Sequence, residues 1–416
     1  MSGQPTKYGP RPVVLPVSLQ FGQDSEPHLP KKGRVGTMMD AIRTLPHQLS
    51  GTRSIGEALR TRGNSLNALR LVFAACVIVS HAWWLGGYGP EPALFGIKLG
   101  TAGVMGFFAI SGYLITISAE RSTAIEYVTA RFLRIYPGLA VSAVLVAFVA
   151  APTGALITGG HYSLSGATVF LEAALGLLIG VMKTPPIGTS LFGNNDHFDW
   201  DGPLWTLTWE TLCYILIGVV VFLVRRRTPD GNGTTVAALW LFAAASGAVA
   251  GKIMAGGFGP DRTEFVLPLI AIFMAGALLA AMRDRIRMGA LPCLLAVVAV
   301  WGAYSSGFGP ALAPLPLAYA VLSIGSLPVA SRIGSRHDIS YGVYIYGWPI
   351  QQLLAALRLP SHVPPLAFAA AALVLVCPLA YLSSVMVEKP AQRLRERLLR
   401  PTHIRPDGSS PDSVAP

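Results

Sequence analysis

Charge is scarce in this sequence: only 13% of its 416 residues are Asp, Glu, Lys or Arg, while 52% are hydrophobic. Water-soluble domains carry about 25% charged residues, so the deficit excludes an ordinary soluble fold. Cysteine is scarce as well. The four present, Cys76, Cys213, Cys293 and Cys377, all lie in apolar runs and none belongs to a C-x-x-C pair. That pattern excludes a disulfide framework and a thiolate metal site, and leaves them as small core residues. No metal is expected. The N-terminus has no apolar core, so no signal peptide is expected, and Met38–Met39 offers an alternative start.

What is present in abundance is long apolar sequence. A helix needs about 20 apolar residues to cross a bilayer, and in lipid only a helix satisfies its own backbone polar groups within one segment. Ten such stretches are expected, at 68–86, 99–118, 136–156, 204–224, 236–256, 264–282, 290–307, 311–329, 339–357 and 365–387. The fold class is therefore all-α, a polytopic membrane bundle. Residues 1–65 and 401–416 are polar and lack apolar periodicity, so they are expected to be mostly disordered around a membrane domain at 66–400, with a short cytoplasmic surface helix in the run SIGEALRTRGNS from Ser54.

The net charge of +11 could suggest nucleic acid, but its distribution argues otherwise. With an even span count, all Lys and Arg except Lys98, Lys183, Lys252, Arg262 and Arg358 fall on the side of the termini. Positive residues accumulate in the cytoplasm, so both termini are expected there, in a cell membrane, with lipids rather than nucleic acid as the polyelectrolyte partner. The run 167–182 is apolar enough to span, yet counting it would place Arg225–Arg227 outside. It reads instead as a helix at the outer face. Beyond it, the outer loop 184–203 gathers Asp196, His197, Asp199, Trp200 and Asp201 before a span. It reads either as an interfacial loop with Trp at headgroup depth or as a polar mouth for an acceptor, with Asp196, Asp199 and Trp200 as the contacts.

Ionisable residues inside spans are costly and normally face a bundle interior. Arg70 and His81 lie eleven residues apart in the first span. At about 100° and 1.5 Å per residue they share a face, about 16.5 Å apart along the axis. Each alone reads more simply as an anchor or a packing residue; together they point towards a cavity. FFAISGYL in the second span places Ser111 beside glycines that favour close helix approach. RFLRIYPG, read as a loop, carries Arg131 and Arg134, whose guanidiniums suit phosphates or a membrane surface. LWTLTWETLCY puts Glu210 one turn from Tyr214, and SYGVYIYGWPIQQ puts Tyr344 in a polar span.

These residues are similar to the motifs of the acyltransferase 3 family of membrane O-acyltransferases, which modify surface polysaccharides, lipopolysaccharide and some small molecules. Arg70 and His81 resemble the family's Arg, ten residues, His pattern. FFAISGYL at 107–114 resembles its FF-x-x-SG-[FY]-L, RFLRIYP at 131–137 its R-x-x-R-[IL]-x-P, WTLTWE ending at Glu210 its WSL-x-x-E, and Glu388, Lys389 and Pro390 its final E-K-P. The resemblance covers about 66–395. Two positions depart from it: Thr211 stands where many members have a second Glu, and Gly347 where many have a His.

The resemblance implies an enzyme that moves an acyl group, here acetyl, from acyl-CoA to a hydroxyl of a carbohydrate or surface glycan. CoA is a substrate rather than a resident cofactor. In that scheme His81 is the general base, with Glu210 orienting it or holding the acceptor. Arg70, Arg131 and Arg134 hold donor phosphates, and Ser111, Tyr214 and Tyr344 line the site. An acyl-histidine is a chemical alternative. Other readings are acylation of a small-molecule hydroxyl such as a macrolide or glycolipid, and a transporter or proton relay built on the same ionisable residues. A transporter would be expected to carry inverted repeats, and the sequence has none.

Overall fold

The computed structural model describes residues 53–60, 63–176, 184–194, 199–228, 232–257 and 263–398. The architecture is almost wholly helical. After a two-residue strand β1 (Arg53–Ser54) and a short helix α1 (Ile55–Arg60) come α2 (Leu66–Gly86), α3 (Leu99–Arg121), α4 (Ala124–Thr158), α5 (Leu164–Gly176), α6 (Gly202–Arg227) and α7 (Asn232–Met254). There follow α8 (Thr263–Ala281), α9 (Ala290–Ser305), α10 (Pro314–Gly325), α11 (Ser340–Ala356) and α12 (Pro365–Arg395). Six of these, α2, α3, α4, α6, α7 and α12, are long and apolar enough to cross a membrane, and α5 and α8 to α10 are shorter apolar helices. Every expected span coincides with a helix, but those expected at 264–282, 290–307, 311–329 and 339–357 fall on helices outside these six, so ten full-length spans are not reached among the described residues.

Three segments bear on the expectations. First, 53–60 carries the short helix expected from Ser54. Ser54 and Glu57 form reciprocal hydrogen bonds between side chain and backbone (2.8 and 3.2 Å) that start α1. Arg53 and Ser54 pair with Met288 and Arg287, and Ile55 is fully buried. The rest of the expected arm, 1–52, and the tail 401–416 lie outside the described residues. Second, RFLRIYPG is not a loop. A capping box between Thr123 and Glu126 (2.8 and 3.3 Å) starts α4 twelve residues early, so Arg131 and Arg134 sit on the helix and Pro137 inside it. Third, the described part of 167–182 belongs to the helix Leu164–Gly176; the rest of that run lies outside the described residues. This helix packs against α4 in a separate small core with Phe170, Ile187, Leu191 and Trp200.

The principal core forms where α3 runs along α8. At Gly112 of FFAISGYL an added Cβ would lie 2.0 Å from the Phe273 carbonyl oxygen, and at Gly276 it would lie 2.3 Å from that of Ala109. The two backbones therefore touch, which only paired glycines permit. Gly112 in this motif is a packing residue. α2 packs on the other side of α3 and against α11. There Gly347 brings α11 onto Ile78, and Gln351 Nε2 donates to the Ile78 carbonyl (2.9 Å). α2 ends on Gly87 in the left-handed region (φ 66°), whose N–H reaches back to Trp84.

Candidate active site

α2 carries two of the expected site residues at opposite ends. At the basic end, Arg70 donates to Asp338 Oδ2 (2.9 Å). The same oxygen accepts from Arg134 on α4 (2.9 Å), and the other guanidinium arm of Arg134 reaches Glu388 (3.1 Å), itself 1% exposed. Glu388 closes a π turn, Ser384–Glu388, within α12; such turns recur at functional sites because they re-aim one side chain. Asp338 Oδ1 accepts from Ser340 N–H and Oγ (3.1 and 2.6 Å) at the start of α11. Burial opposes ionisation of Asp338, but the Arg70 and Arg134 guanidiniums and these Ser340 hydrogen bonds hold its carboxyl down at about 2. Two arginines and two carboxylates thus pin α2, α4, α11 and α12 together.

A polar cavity of about 200 Å³ opens against this network, lined by Arg134, Asp338 and Glu388 together with Asn67, Arg336 and Lys389. Lys389 donates to the Arg336 carbonyl (2.8 Å) and to His337 Nδ1 (2.9 Å). The motif Glu388-Lys389-Pro390 therefore forms one wall of a cationic cavity. Behind Arg134, Tyr341 of α11 donates to the Ile135 carbonyl (2.7 Å) and lies against Gly138, joining α11 to RIYPG.

Arg131 does not join Arg70 and Arg134. One turn earlier on α4, it lies beside Tyr127 and Tyr214. It has no carboxylate partner among the described residues, and its buried Nε is unbonded. Glu210 Oε1 accepts from Ser111 Oγ (2.7 Å) and Tyr214 OH (2.6 Å). Ser111, Glu210, Tyr214 and Arg131 therefore make a second polar group inside the bundle. Glu210 is bonded to α3 and to its own helix, not to His81; as an orienter of His81 it is displaced by this geometry.

His81 stands towards the opposite end of α2. Its ring meets the Trp348 indole at right angles, centroids 4.8 Å apart. Neither imidazole nitrogen has a hydrogen-bond partner among the described residues. Trp348 Nε1 and Gln352 Nε2 both donate to the Asp199 carbonyl (2.7 and 2.9 Å), which straps the segment 199–204 over α11. Tyr344 lies beneath, sharing a 2.5 Å hydrogen bond with Thr206 and meeting Phe107 edge-on. Of the expected mouth residues, Asp199 is exposed, while Asp196 lies outside the described residues. Trp200 is fully buried against Gly154, with Nε1 on Ser190 (2.9 Å), so its indole serves packing rather than acceptor contact.

Sequence reasoning missed Asp338. Its signal was an Asp two residues before the Ser that opens α11, the spacing of a side-chain-to-backbone turn. Trp348 was missed because one aromatic among several in a span carries no mark of its neighbour.

A multi-pass helical bundle holding a histidine, a buried carboxylate and a cationic cavity defines a class: membrane-embedded group-transfer enzymes. The family model described as an acyltransferase domain matches residues 64–385, and the chain belongs to this acyltransferase 3 family. It is similar to a protein named O-acetyl transferase of Shigella phage Sf6, 29% identical over 344 residues that cover 79% of this chain and 96% of that one. It is also similar to Nodulation protein 10 of Rhizobium leguminosarum bv. viciae, 31% identical over 367 residues, 81% of this chain and 95% of its relative. No solved structure matches. The protein is an acyltransferase and an enzyme of the membrane.

Proposed function

We propose that the enzyme transfers an acetyl group from acetyl-CoA, bound at the basic end, to a carbohydrate hydroxyl presented at the opposite end. The observation that carries this reading is the placement of His81. It lies about 16.5 Å along the helix axis from Arg70, with both ring nitrogens unengaged by described residues, while the cationic cavity lies at the other end. That distance suits a donor whose phosphates stay at the arginines while its thioester reaches the imidazole.

In this reading the acceptor hydroxyl attacks the thioester carbonyl. The C–O bond forms as the C–S bond breaks. The hydroxyl proton passes to a neutral His81, which returns it to the departing thiolate, so the imidazole ends as it began. Of the three motif arginines, Arg131 is the one without a carboxylate partner among the described residues, which leaves its guanidinium for an anionic donor. Arg70 and Arg134 shape the cavity through Asp338 and Glu388. Ser111, Glu210 and Tyr214 hold the donor arm or acceptor between the two ends. The basic end faces the cytoplasm, consistent with the bias of Lys and Arg. The relative named O-acetyl transferase supports acetyl as the group moved.

The test is transfer of radiolabelled acetyl from acetyl-CoA, in membranes carrying the enzyme, to surface glycan extracted from a strain lacking the gene. Alkali-labile label on the glycan is expected. Acetyl-CoA consumption that no glycan or small-molecule hydroxyl stimulates would overturn the reading.

A further inference from the structure

Asp201 is a buried carboxylate without a bond. It is 4% exposed, and neither carboxylate oxygen has a hydrogen-bond partner among the described residues. This is not the result of a loosely held loop. On one side Asp199 is strapped to Trp348 and Gln352, and Trp200 is anchored to Ser190. On the other, Gly202 packs so closely that an added Cβ would lie 2.7 Å from the Trp348 ring, and Pro203 accepts from Thr206 and Tyr344. The segment is held at four points around a group left unsatisfied.

A second orphan lies on α11, one turn after Trp348. Gln351 is fully buried; its amide nitrogen is spent on the Ile78 carbonyl, one turn before His81, and its Oε1 has no partner among the described residues. A buried polar group without a partner costs free energy, about 1–3 kcal/mol by mutational measure, and is retained where something else supplies the bond. The segment carrying Asp201 is set by contacts to Trp348, the residue against which His81 packs, and Gln351 follows Trp348 by three positions on α11. Burial pushes the Asp201 carboxyl well above the ordinary carboxylate range. A carboxyl accepts in either protonation state and donates when neutral, and the amide oxygen accepts. A hydroxyl matches the first and completes the second.

We propose that Asp201, together with Gln351, binds hydroxyls of the acceptor and presents it to His81, so that the acceptor is a compound with more than one hydroxyl at the site. This rests on the acyl-transfer reading above and adds to it the residues that select a polyhydroxy acceptor. Asp201 binds; it does not exchange the proton of the reaction.

The experiment uses the full-length enzyme in membranes, radiolabelled acetyl-CoA, and glycan extracted from the gene-deletion strain at varied concentration. Asp201→Asn keeps one acceptor oxygen, and Asp201→Ser removes both. The expected result is a rise in the apparent KM for glycan of tenfold or more in the Ser variant, with a smaller rise in Asn. The KM for acetyl-CoA stays within twofold, a split that loss of fold would not produce. A glycan KM within twofold of wild type in both variants overturns the inference and leaves the acyl-transfer reading standing. Absence of glycan acetylation by the wild type overturns both. Should neither variant accumulate, dicyclohexylcarbodiimide, which modifies protonated carboxyls in apolar surroundings, is applied to the wild type. Asp201 labelling that glycan suppresses is expected; no labelling, or labelling indifferent to glycan, overturns the inference.

Discussion

Arg70 and Arg134, from different helices and 64 positions apart in the chain, donate to one and the same oxygen of Asp338, each at 2.9 Å. Glu388 balances the second arm of Arg134. Of the three arginines expected to hold donor phosphates, two are thus neutralised in place and one, Arg131, has no such partner among the described residues.

That division separates the variants. Arg134→Ala leaves Glu388 buried with an uncompensated charge, and breaking a buried pair costs about 3–5 kcal/mol. We expect sharply reduced accumulation in membranes, read by immunoblot and by melting in detergent. Arg131→Ala should accumulate normally and raise the KM for acetyl-CoA about tenfold or more. Arg131→Lys should recover only part, because the planar fork is lost. An unchanged donor KM in Arg131→Ala would make this residue a helix anchor.

His81→Gln keeps size and hydrogen bonding but cannot accept a proton. We expect normal insertion, normal donor binding and a fall in glycan acetylation of about 10²–10⁴-fold, the usual contribution of a general base. Substantial turnover at matched protein level would shift the base to another group, with Glu210 first.

At Glu210, substitution by Gln leaves an oxygen to accept from Ser111 and Tyr214 but replaces the carboxyl with an amide. The expected outcome is a folded enzyme with turnover reduced about tenfold or more. Tyr214→Phe removes one hydrogen bond, typically worth about 1 kcal/mol, and should lower melting slightly. Equal activity of Glu210→Gln and wild type would show that the carboxylate serves packing only.

Gly112→Ala places a Cβ against the Phe273 carbonyl oxygen, where backbone rather than a flexible side chain must move. Overpacking of this kind costs about 1–3 kcal/mol or more. Gly302→Ala, whose Cβ would meet nothing within 4 Å, is the control. Loss of thermal stability is expected in the first and none in the second; equal melting would mean that α3 and α8 can separate freely.

Asp338 carries a pH dependence of known sign. Its carboxyl is lowered from 3.8 to about 2 in the fold. The stability it contributes is therefore complete above about 4 and is lost as pH falls through about 2. The difference in melting between wild type and Asp338→Asn should be constant from pH 7 to about 4 and shrink on further acidification. A difference that grows below pH 4 would contradict the ion network.

The helices were legible because their signal is local. Apolar runs report burial in lipid, and the Thr123–Glu126 capping box, which marks the true start of α4, was also present in the sequence though overridden by hydropathy. The motifs around Arg70, His81, Ser111, Arg131, Arg134, Glu210 and Glu388 likewise identified the family from the chain alone.

Only the tertiary structure decided which of those residues meet. Helical periodicity tells which face a side chain occupies, not which helix lies opposite. Arg70 finds Asp338 across 268 positions, and Arg134 finds Glu388 across 254. The same limit explains why Arg131 and Arg134, adjacent by periodicity, reach different neighbours. It also explains why Trp200 is a core residue and Asp201, one position on, is a buried acid with an empty bond: the path of a loop over α11 is set by contacts to Trp348 and Gln352, which no local pattern encodes.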